Sequence, residues 1–278
     1  TVYSKMQVTD SSSAARTKTL VNANTTYFAT GSADFQTTNS TGSNTSLYLS
    51  KGQVVIRNPS SNVAESLYIS DVVSVPKIYY TSTMPSAGDP ISSLQDVTDR
   101  YTLDRGQKNE FYDHASIKLK AGYSSSPGYL IVCCRYYQPT SDSGFYSIDS
   151  YPDLNTIITE EGKELGTGYS IIPKVNGVRI GDLIDFRPVR PAASNSSFNF
   201  VTARIPVDGT DFTCDFPYYL ERRDIVVMTV NDELKLIQGN PNNPNHFPDT
   251  PARSLLLHRV RVLPYTVSKG DIVIETPL

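Results

Sequence analysis

The stretch Tyr129-Leu130-Ile131-Val132-Cys133-Cys134-Arg135-Tyr136-Tyr137 decides the fold class of this chain. It contains neither proline nor glycine, and most of its residues are apolar, β-branched or aromatic, which is typical of a β-strand. A strand with one exposed face would alternate apolar and polar residues, and this stretch does not. We therefore expect it to be a central strand with both faces covered.

A second strand is predicted just before it. Ser116-Ile117-Lys118-Leu119-Lys120 alternates polar and apolar residues, as a half-buried strand does. A loop rich in Gly, Ser and Pro separates the two strands, so we expect them to pair antiparallel within one layer of a sandwich.

Further strands are predicted on both sides. The run from Leu67 to Tyr80 is β-branched and aromatic, and its Pro76 must lie at an edge or a bulge. Near the C-terminal end, the Asn231-Asp232 corner suggests a hairpin between two strands. Additional strands are expected at residues 198–204 and 255–262, and one short helical turn between Thr156 and Leu165.

Composition leads to the same fold class. The chain has 18 Tyr, 18 Pro and no Trp, with long Ser, Thr and Asn tracts, which favours many short strands joined by turns. We predict an all-β fold of two or three small antiparallel β-sandwich or barrel-like units with long loops and little helix. The expected domains are a Ser/Thr-rich β-domain at 1–84, a central β-domain at 85–190 and a C-terminal β-domain at 191–278.

Charge and cysteine content exclude several functions. The formal net charge of −3 provides no basic field for phosphates, so nucleic-acid binding is not expected. No apolar run reaches the roughly 18 residues of a membrane span. Cys133 and Cys134 are adjacent and should point to opposite faces of a strand, with Cys214 far away, so we expect buried thiols and no disulfide.

One short motif offers charged residues that could perform chemistry. Asp182-Leu183-Ile184-Asp185-Phe186-Arg187-Pro188 contains two carboxylates, which a glycosidase could use as an acid and base pair. Asp182 and Asp185 fall on opposite faces of an extended strand, whereas Arg187 shares a face with Asp185. We therefore interpret Asp185 and Arg187 as a structural pair, or as residues that cap the backbone, and predict no catalytic residues.

A second polar segment runs from Asp96 to Asp113. We expect it to form a hydrogen-bonded corner that fixes a long loop against the sheet. Histidine could bind a metal or carry a proton, but the three His lack the spacing of known ligand motifs, so no metal and no cofactor are predicted. The residues assigned a structural role are Arg100, Tyr101, Gln107, Asp113 and His114.

Three stretches, taken together in order and spacing, resemble an uncharacterised domain family found in structural proteins of contractile-tailed phages. The first runs from Asp96 to Leu119 and contains the aromatic, Gly-Gln and Tyr-Asp signature. The other stretches are Phe145-Tyr146-Ser147-Ile148-Asp149-Ser150-Tyr151 with residues 182–188, and Phe216-Pro217-Tyr218-Tyr219-Leu220-Glu221-Arg222-Arg223-Asp224-Ile225-Val226-Val227 with residues 236–241 and 263–266. The similarity spans roughly Ile69 to Thr266.

The resemblance implies a non-enzymatic virion structural protein of the tail or baseplate. Its partners would be other virion tail or baseplate proteins, in an oligomer, with the Ser/Thr-rich N-terminal portion at the contact. The alternative function is a carbohydrate- or receptor-binding module of a tail fibre or spike, which would bind a host-surface glycan. A depolymerase is a third possibility.

Overall fold

The computed structural model describes most of the chain. The described residues are 16–29, 35–38, 44–47, 49–50, 52–140, 144–152, 154–160, 162–191, 220–264, 266 and 272–275. They fall into two compact units: residues up to 154 together with 158–214, and residues 155–157 together with 215–278. We call these the first unit and the second unit.

Nearly all regular structure is β. The strands are β1 Lys18–Val21, β2 Phe35–Thr38, β3 Asn44–Leu47, β4 Leu49–Ser50, β5 Gln53–Arg57, β6 Glu65–Ser70, β7 Val72–Thr81, β8 Gln95–Asp96, β9 Tyr101–Asp104, β10 His114–Leu119, β11 Tyr129–Pro139, β12 Ile157–Glu160, β13 Lys163–Thr167, β14 Lys174–Val175, β15 Val178–Arg179, β16 Arg222–Thr229, β17 Leu234–Ile237, β18 Ser254–Val262 and β19 Ile272–Glu275. Helical structure in the described residues is limited to 3-10 turns at Thr98–Arg100, Ile148–Ser150 and Ile180–Asp182. The predicted all-β class is confirmed, and none of the sheets described closes into a barrel.

Strand β11 is the centre of the largest sheet, as the sequence predicts. The strand order is β4-β5-β11-β7-β8, and β1 pairs with the C-terminal half of β11 beyond the end of β5. All pairings are antiparallel. Residues Leu130 to Cys134 are buried on both faces, because adjacent side chains point into different apolar clusters.

The two neighbouring cysteines illustrate this alternation. Cys134 packs in the larger cluster and Cys133 in the smaller one, and both thiols are buried, as expected, with no disulfide to either among the described residues. Cys214 lies outside the described residues. Pro76 is tolerated in β7 because the pairing with β11 shifts register between Lys77 and Ser74, which confirms the predicted bulge.

A three-stranded sheet, β6-β10-β9, completes a sandwich with the central sheet. Its Leu67, Ile69 and Ile117 join the larger apolar cluster, in which they pack with Val54 and Val132 of the central sheet. The predicted pairing of β10 with β11 is therefore wrong: the two strands lie in different sheets. The connecting loop is long enough to cross between layers, and the single apolar face of β10 is satisfied by the core between them.

The segment expected to form a helical turn is extended. Residues Ile157–Glu160 and Lys163–Thr167 form a two-stranded sheet, with Gly162 at positive φ in the turn. The β-branched Ile157, Ile158 and Thr159 favour strand over helix, which explains the difference. Within the part of the chain that the structure describes, no helix has the length and apolar composition needed to cross a bilayer.

The second unit contains a four-stranded antiparallel sheet of order β17-β16-β18-β19. Strands β16 and β17 form the hairpin predicted from the Asn231-Asp232 corner, with Asp232 at positive φ. The strand expected at residues 198–204 lies outside the described residues.

The observed division differs from the expected domains. Strands β5 and β7 precede the expected boundary at residue 84, and β11 follows it, yet the three share one sheet. The Pro- and Gly-rich segment after Met84 is therefore a loop inside one unit, because β11 is hydrogen-bonded on its two sides to β5 and β7 from the earlier part of the chain.

Candidate functional site

The first unit has a buried lysine at its centre. Lys18, the first residue of β1, is fully buried, and its Nζ donates a hydrogen bond of 2.7 Å to Oδ2 of Asp71. The same Nζ donates to the hydroxyl oxygens of Tyr151 at 3.0 Å and Tyr112 at 3.3 Å. All three donor protons of the ammonium group therefore have acceptors, as a buried charge requires.

Aromatic rings enclose the same nitrogen. Nζ of Lys18 lies 4.1 Å from the ring centroid of Tyr146, 4.5 Å from that of Tyr112 and 4.6 Å from that of Tyr151, with Tyr137 at 5.9 Å. These distances are in the range of cation–π attraction. The tyrosines therefore give the cation a second set of favourable contacts and exclude solvent from it.

Asp71 connects the lysine to the loop after β9. Its Oδ1 accepts a hydrogen bond of 2.9 Å from Nε2 of Gln107, and Oε1 of Gln107 in turn accepts one of 3.3 Å from Nη1 of Arg187. The carbonyl oxygen of Lys108 accepts a second bond from the same Nη1, at 2.6 Å. The loop is thus held to both charged residues.

Arg187 and Asp185 close the chain of contacts. Nε of Arg187 lies 2.9 Å from Oδ1 of Asp185 and Nη2 lies 2.8 Å from Oδ2, a bidentate ion pair. The hydroxyl of Tyr112 donates to Oδ2 of Asp185 at 2.5 Å and accepts from Lys18. We call this closed set the ring network: Lys18, Asp71, Gln107, Arg187, Asp185 and Tyr112.

Backbone geometry brings these distant residues together. Asp71 occupies the single position between β6 and β7 and has φ +57°, a left-handed conformation that Asp tolerates better than most residues. Tyr112 is fixed by backbone hydrogen bonds with Pro188 and Arg190, and Asp185 by a reciprocal pair with Tyr146. The network therefore ties β1, the β6–β7 turn, the β9–β10 loop and the segment around residue 187 into one body.

Burial and charge shift the acid–base properties of the network. Burial lowers the pKa of Lys18, although Asp71 acts in the opposite direction. Burial raises the pKa of Tyr112 and of Tyr151, and the neighbouring carboxylates add to both shifts. Burial would also raise the pKa of Asp185, but the hydrogen bonds and charge of Arg187 outweigh it and lower the value.

A surface cavity borders the ring network. Its volume is about 610 Å³, and Asp185 and Arg187 are among the residues that line it. Polar side chains of Asn109, Glu110 and Asn176 line it together with the apolar Phe186 and others. Such a mixed lining provides hydrogen-bonding groups beside an apolar surface, as small-molecule sites do.

The residues singled out from the sequence divide into two groups. Asp185 and Arg187 form the predicted pair, and Gln107 joins them in the ring network. Asp113 pairs with Arg190 at 2.8 Å, and Nε2 of His114 lies 2.7 Å from the carbonyl oxygen of Pro191, so both fix the neighbouring segment.

Arg100 and Tyr101 lie away from this network. Arg100 ends a 3-10 turn and lies over the ring of Tyr123, and Tyr101 packs partly buried against the main apolar cluster. Sequence reasoning did not single out Lys18, Asp71 or Tyr112 as site residues. A lone Asp between two apolar strands, in Ile69-Ser70-Asp71-Val72-Val73, was the available signal for one of them.

The second unit offers a different feature, an apolar sheet face. Cross-strand pairing places Leu236 opposite Val226, and Leu234 and Leu255 opposite Met228, so their side chains share a face. Ile274 lies on the same face, because it pairs with Val260, which pairs with Asp224. Four of these side chains are 55–67% exposed, and we call them the apolar face: Leu234, Leu236, Leu255 and Ile274.

The ring network, the cavity and the apolar face differ in how far solvent and partners can reach them. The ring network is buried and internally satisfied, whereas the cavity and the apolar face are open to partners. In the described residues, no group of three or more His, Cys, Asp or Glu side chains is arranged to hold a metal ion. Comparisons with protein-family models, with curated proteins and with solved structures find no match for this chain.

Proposed function

We propose that the chain is a virion structural protein of a phage tail or baseplate, which acts by assembling with other protein subunits. The observation that carries this proposal is the apolar face of the second unit. Large apolar side chains that are exposed together on one sheet face are uncommon in monomeric proteins and mark contact surfaces. The sequence resemblance to structural proteins of contractile-tailed phages supplies the kind of partner.

The apolar face has the properties that a protein contact needs. Leu234, Leu255 and Ile274 are each more than 60% exposed, and they lie on hydrogen-bonded strands, so their positions are fixed before a partner arrives. Binding to such a surface loses little conformational entropy. Burying a leucine side chain of this kind contributes about 1.5–3 kcal/mol.

The first unit supports the same proposal by a different property. Its charged residues are used to join distant segments to one another, with Lys18, Asp71 and Asp185 all buried. A buried, fully hydrogen-bonded network favours one rigid arrangement of the backbone. A building block that transmits force or holds a fixed position in a particle benefits from that rigidity.

The proposal is tested on particles from the phage that encodes this chain. Quantitative mass spectrometry of gradient-purified virions and of separated tails should find the chain at a fixed ratio to other tail proteins. Finding it in the unassembled fraction of the lysate and not in virions would contradict the proposal.

Glycan binding by a tail fibre or spike is the second candidate function, and the cavity beside the ring network favours it. Asn109, Glu110 and Asn176 place amide and carboxylate groups next to the ring of Phe186, a combination that suits sugar hydroxyls and sugar C–H groups. Calorimetric titration with host surface polysaccharide, using Glu110→Ala as the comparison, tests it. Heat of binding that the substitution removes would favour this function.

A further inference from the structure

We propose that Lys18 and Asp71 condense spontaneously into an amide cross-link that joins β1 to the turn between β6 and β7. Nζ of Lys18 lies 2.7 Å from Oδ2 of Asp71, and the two side chains are 0% and 1% exposed. The amine and the carboxyl group are therefore held in contact in a site without bulk water. Proximity of this kind replaces a bimolecular encounter and accelerates reactions by several orders of magnitude.

The reaction balances without any co-reactant. A proton first moves from Nζ to the carboxylate along their hydrogen bond, which gives a neutral amine and a carboxylic acid. The lone pair of Nζ then attacks Cγ of Asp71, the Nζ–Cγ bond forms, and one Cγ–O bond breaks. The departing hydroxyl takes a second proton from the nitrogen and leaves as water, so the products are one amide and one water molecule.

The surroundings favour the neutral amine that this reaction needs. Burial lowers the pKa of Lys18, because the ammonium group is removed from water. A buried ion pair also keeps a desolvation cost that its attraction only partly offsets. Conversion to an amide removes both charges, and the loss of charge provides a driving force for the condensation.

Gln107 is placed to stabilise the intermediate. Its Nε2 donates a hydrogen bond of 2.9 Å to Oδ1 of Asp71, the oxygen on which negative charge develops when Nζ attacks Cγ. A donor that is already aimed at such an oxygen lowers the barrier without further reorganisation. Arg187 donates to Oε1 of the same Gln107 side chain, which fixes the direction of its amide group.

Tyr112 and Tyr151 act as positioning residues for the amine. The hydroxyl proton of Tyr112 is donated to Asp185, so the lone pairs of its oxygen face Nζ and accept a hydrogen bond from it. The hydroxyl of Tyr151 accepts a second one at 3.0 Å. These two acceptors hold the nitrogen beside Asp71 before the reaction and can bind the amide N–H after it.

The decisive measurement is the mass of the intact, denatured full-length chain. We expect it to lie one water molecule below the mass calculated from the sequence. Tryptic digestion should give a branched peptide in which residues 17–51 are joined to residues 58–77, because a modified Lys18 is not cleaved. An intact mass equal to the calculated value, with the two tryptic peptides recovered separately, would overturn the proposal, whether or not the protein is folded.

Two comparisons exclude other sources of the mass change. Lys18→Arg keeps a cation but removes the amine nucleophile, so its mass should equal the calculated value. Loss of water that persists in this variant, or that maps to the Asp208-Gly209 sequence as a cyclic imide, would overturn the proposal.

The role of Gln107 has a kinetic test. Protein recovered unfolded from inclusion bodies is refolded, and the cross-linked fraction is followed by intact mass. Loss of the oxyanion donor in Gln107→Ala should slow the reaction about a hundredfold. Tyr112→Phe should slow it less, because one acceptor remains. A wild-type rate in Gln107→Ala would contradict the assignment of that residue.

Discussion

Lys18 and Asp71 are 53 residues apart in the chain, yet their side chains meet at 2.7 Å in the interior of the first unit. The contact joins the first described strand to the turn between two strands of opposite layers. Gln107 and Tyr112 are hydrogen-bonded directly to this pair, and Arg187 and Asp185 are connected to it through them. The ring network therefore depends on the contact between Lys18 and Asp71.

Removing the lysine charge should destabilise the first unit strongly. Lys18→Met leaves the carboxylate of Asp71 buried with neither a cation nor an amide partner, and an uncompensated buried charge alone costs about 3–5 kcal/mol. The double substitution Lys18→Met with Asp71→Leu should recover part of this loss, because it removes both charges. Urea unfolding followed by circular dichroism measures both effects, and a double variant less stable than the single one would contradict this account.

The Asp185 and Arg187 pair should contribute less to the free energy of unfolding than the Lys18 and Asp71 pair, but by a measurable amount. Arg187→Ala removes a bidentate partner from a nearly buried carboxylate, and we expect a loss of about 3 kcal/mol in unfolding free energy. Lys108→Ala is the matched control, since its ion pair with Asp104 is exposed and should contribute less than about 1 kcal/mol. Equal melting temperatures for the two variants would argue against a structural role of Arg187.

The lowered pKa of Asp185 predicts a pH dependence. A carboxyl group whose pKa is lower in the folded than in the unfolded state stabilises the fold above its unfolded pKa of about 4, and this contribution is lost as the pH falls through the folded value. Wild type should therefore exceed Asp185→Asn in stability at neutral pH, with the difference shrinking in acid. A difference that is constant from pH 7 to about pH 2 would contradict the assignment.

Gly106 should be irreplaceable for a steric reason. It has φ +70°, and a Cβ there would lie 2.4 Å from the carbonyl oxygen of Asp113, directly beside the ring network. Gly122 also has positive φ, but a Cβ would meet open space. We expect Gly122→Ala to cost about 1 kcal/mol through its backbone conformation alone and Gly106→Ala clearly more. Thermal unfolding of the two variants compares them, and similar losses would show that the contact with Asp113 is unimportant.

The central strand and the Asp185 pairing could be predicted because both are local patterns. Eight of the nine residues from Tyr129 to Tyr137 are apolar or aromatic and need cover on both faces, and residues two apart in an extended chain share a side. The sheet to which β10 belongs could not be predicted. Its alternation of apolar and polar residues indicates one buried face but does not indicate which strands pair with it.

The buried pair of Lys18 and Asp71 could not be predicted, because it is not a local sequence pattern. Lys18 lies in a polar Ser- and Thr-rich region that gave no sign of a buried position, and its partners are supplied by four other segments. Part of the N-terminal portion expected to contact partners forms β1 of the central sheet. Removal of residues 1–51 should therefore unfold the first unit, because it takes Lys18 away from Asp71.

The most direct test of the assembly function is incorporation of a surface variant into particles. Leu236→Lys combined with Leu255→Lys places two charges on the apolar face, and both side chains are more than half exposed, so folding should be unaffected. Under the proposed function, virions of the encoding phage are purified with the variant in place, and the chain is quantified against known tail proteins. We predict that the variant folds, with a wild-type melting temperature, but is depleted from virions by at least about tenfold. This is the effect expected when two leucine side chains are no longer buried against a partner on assembly. Incorporation at the wild-type ratio would contradict the claim that this face joins the chain to its partners.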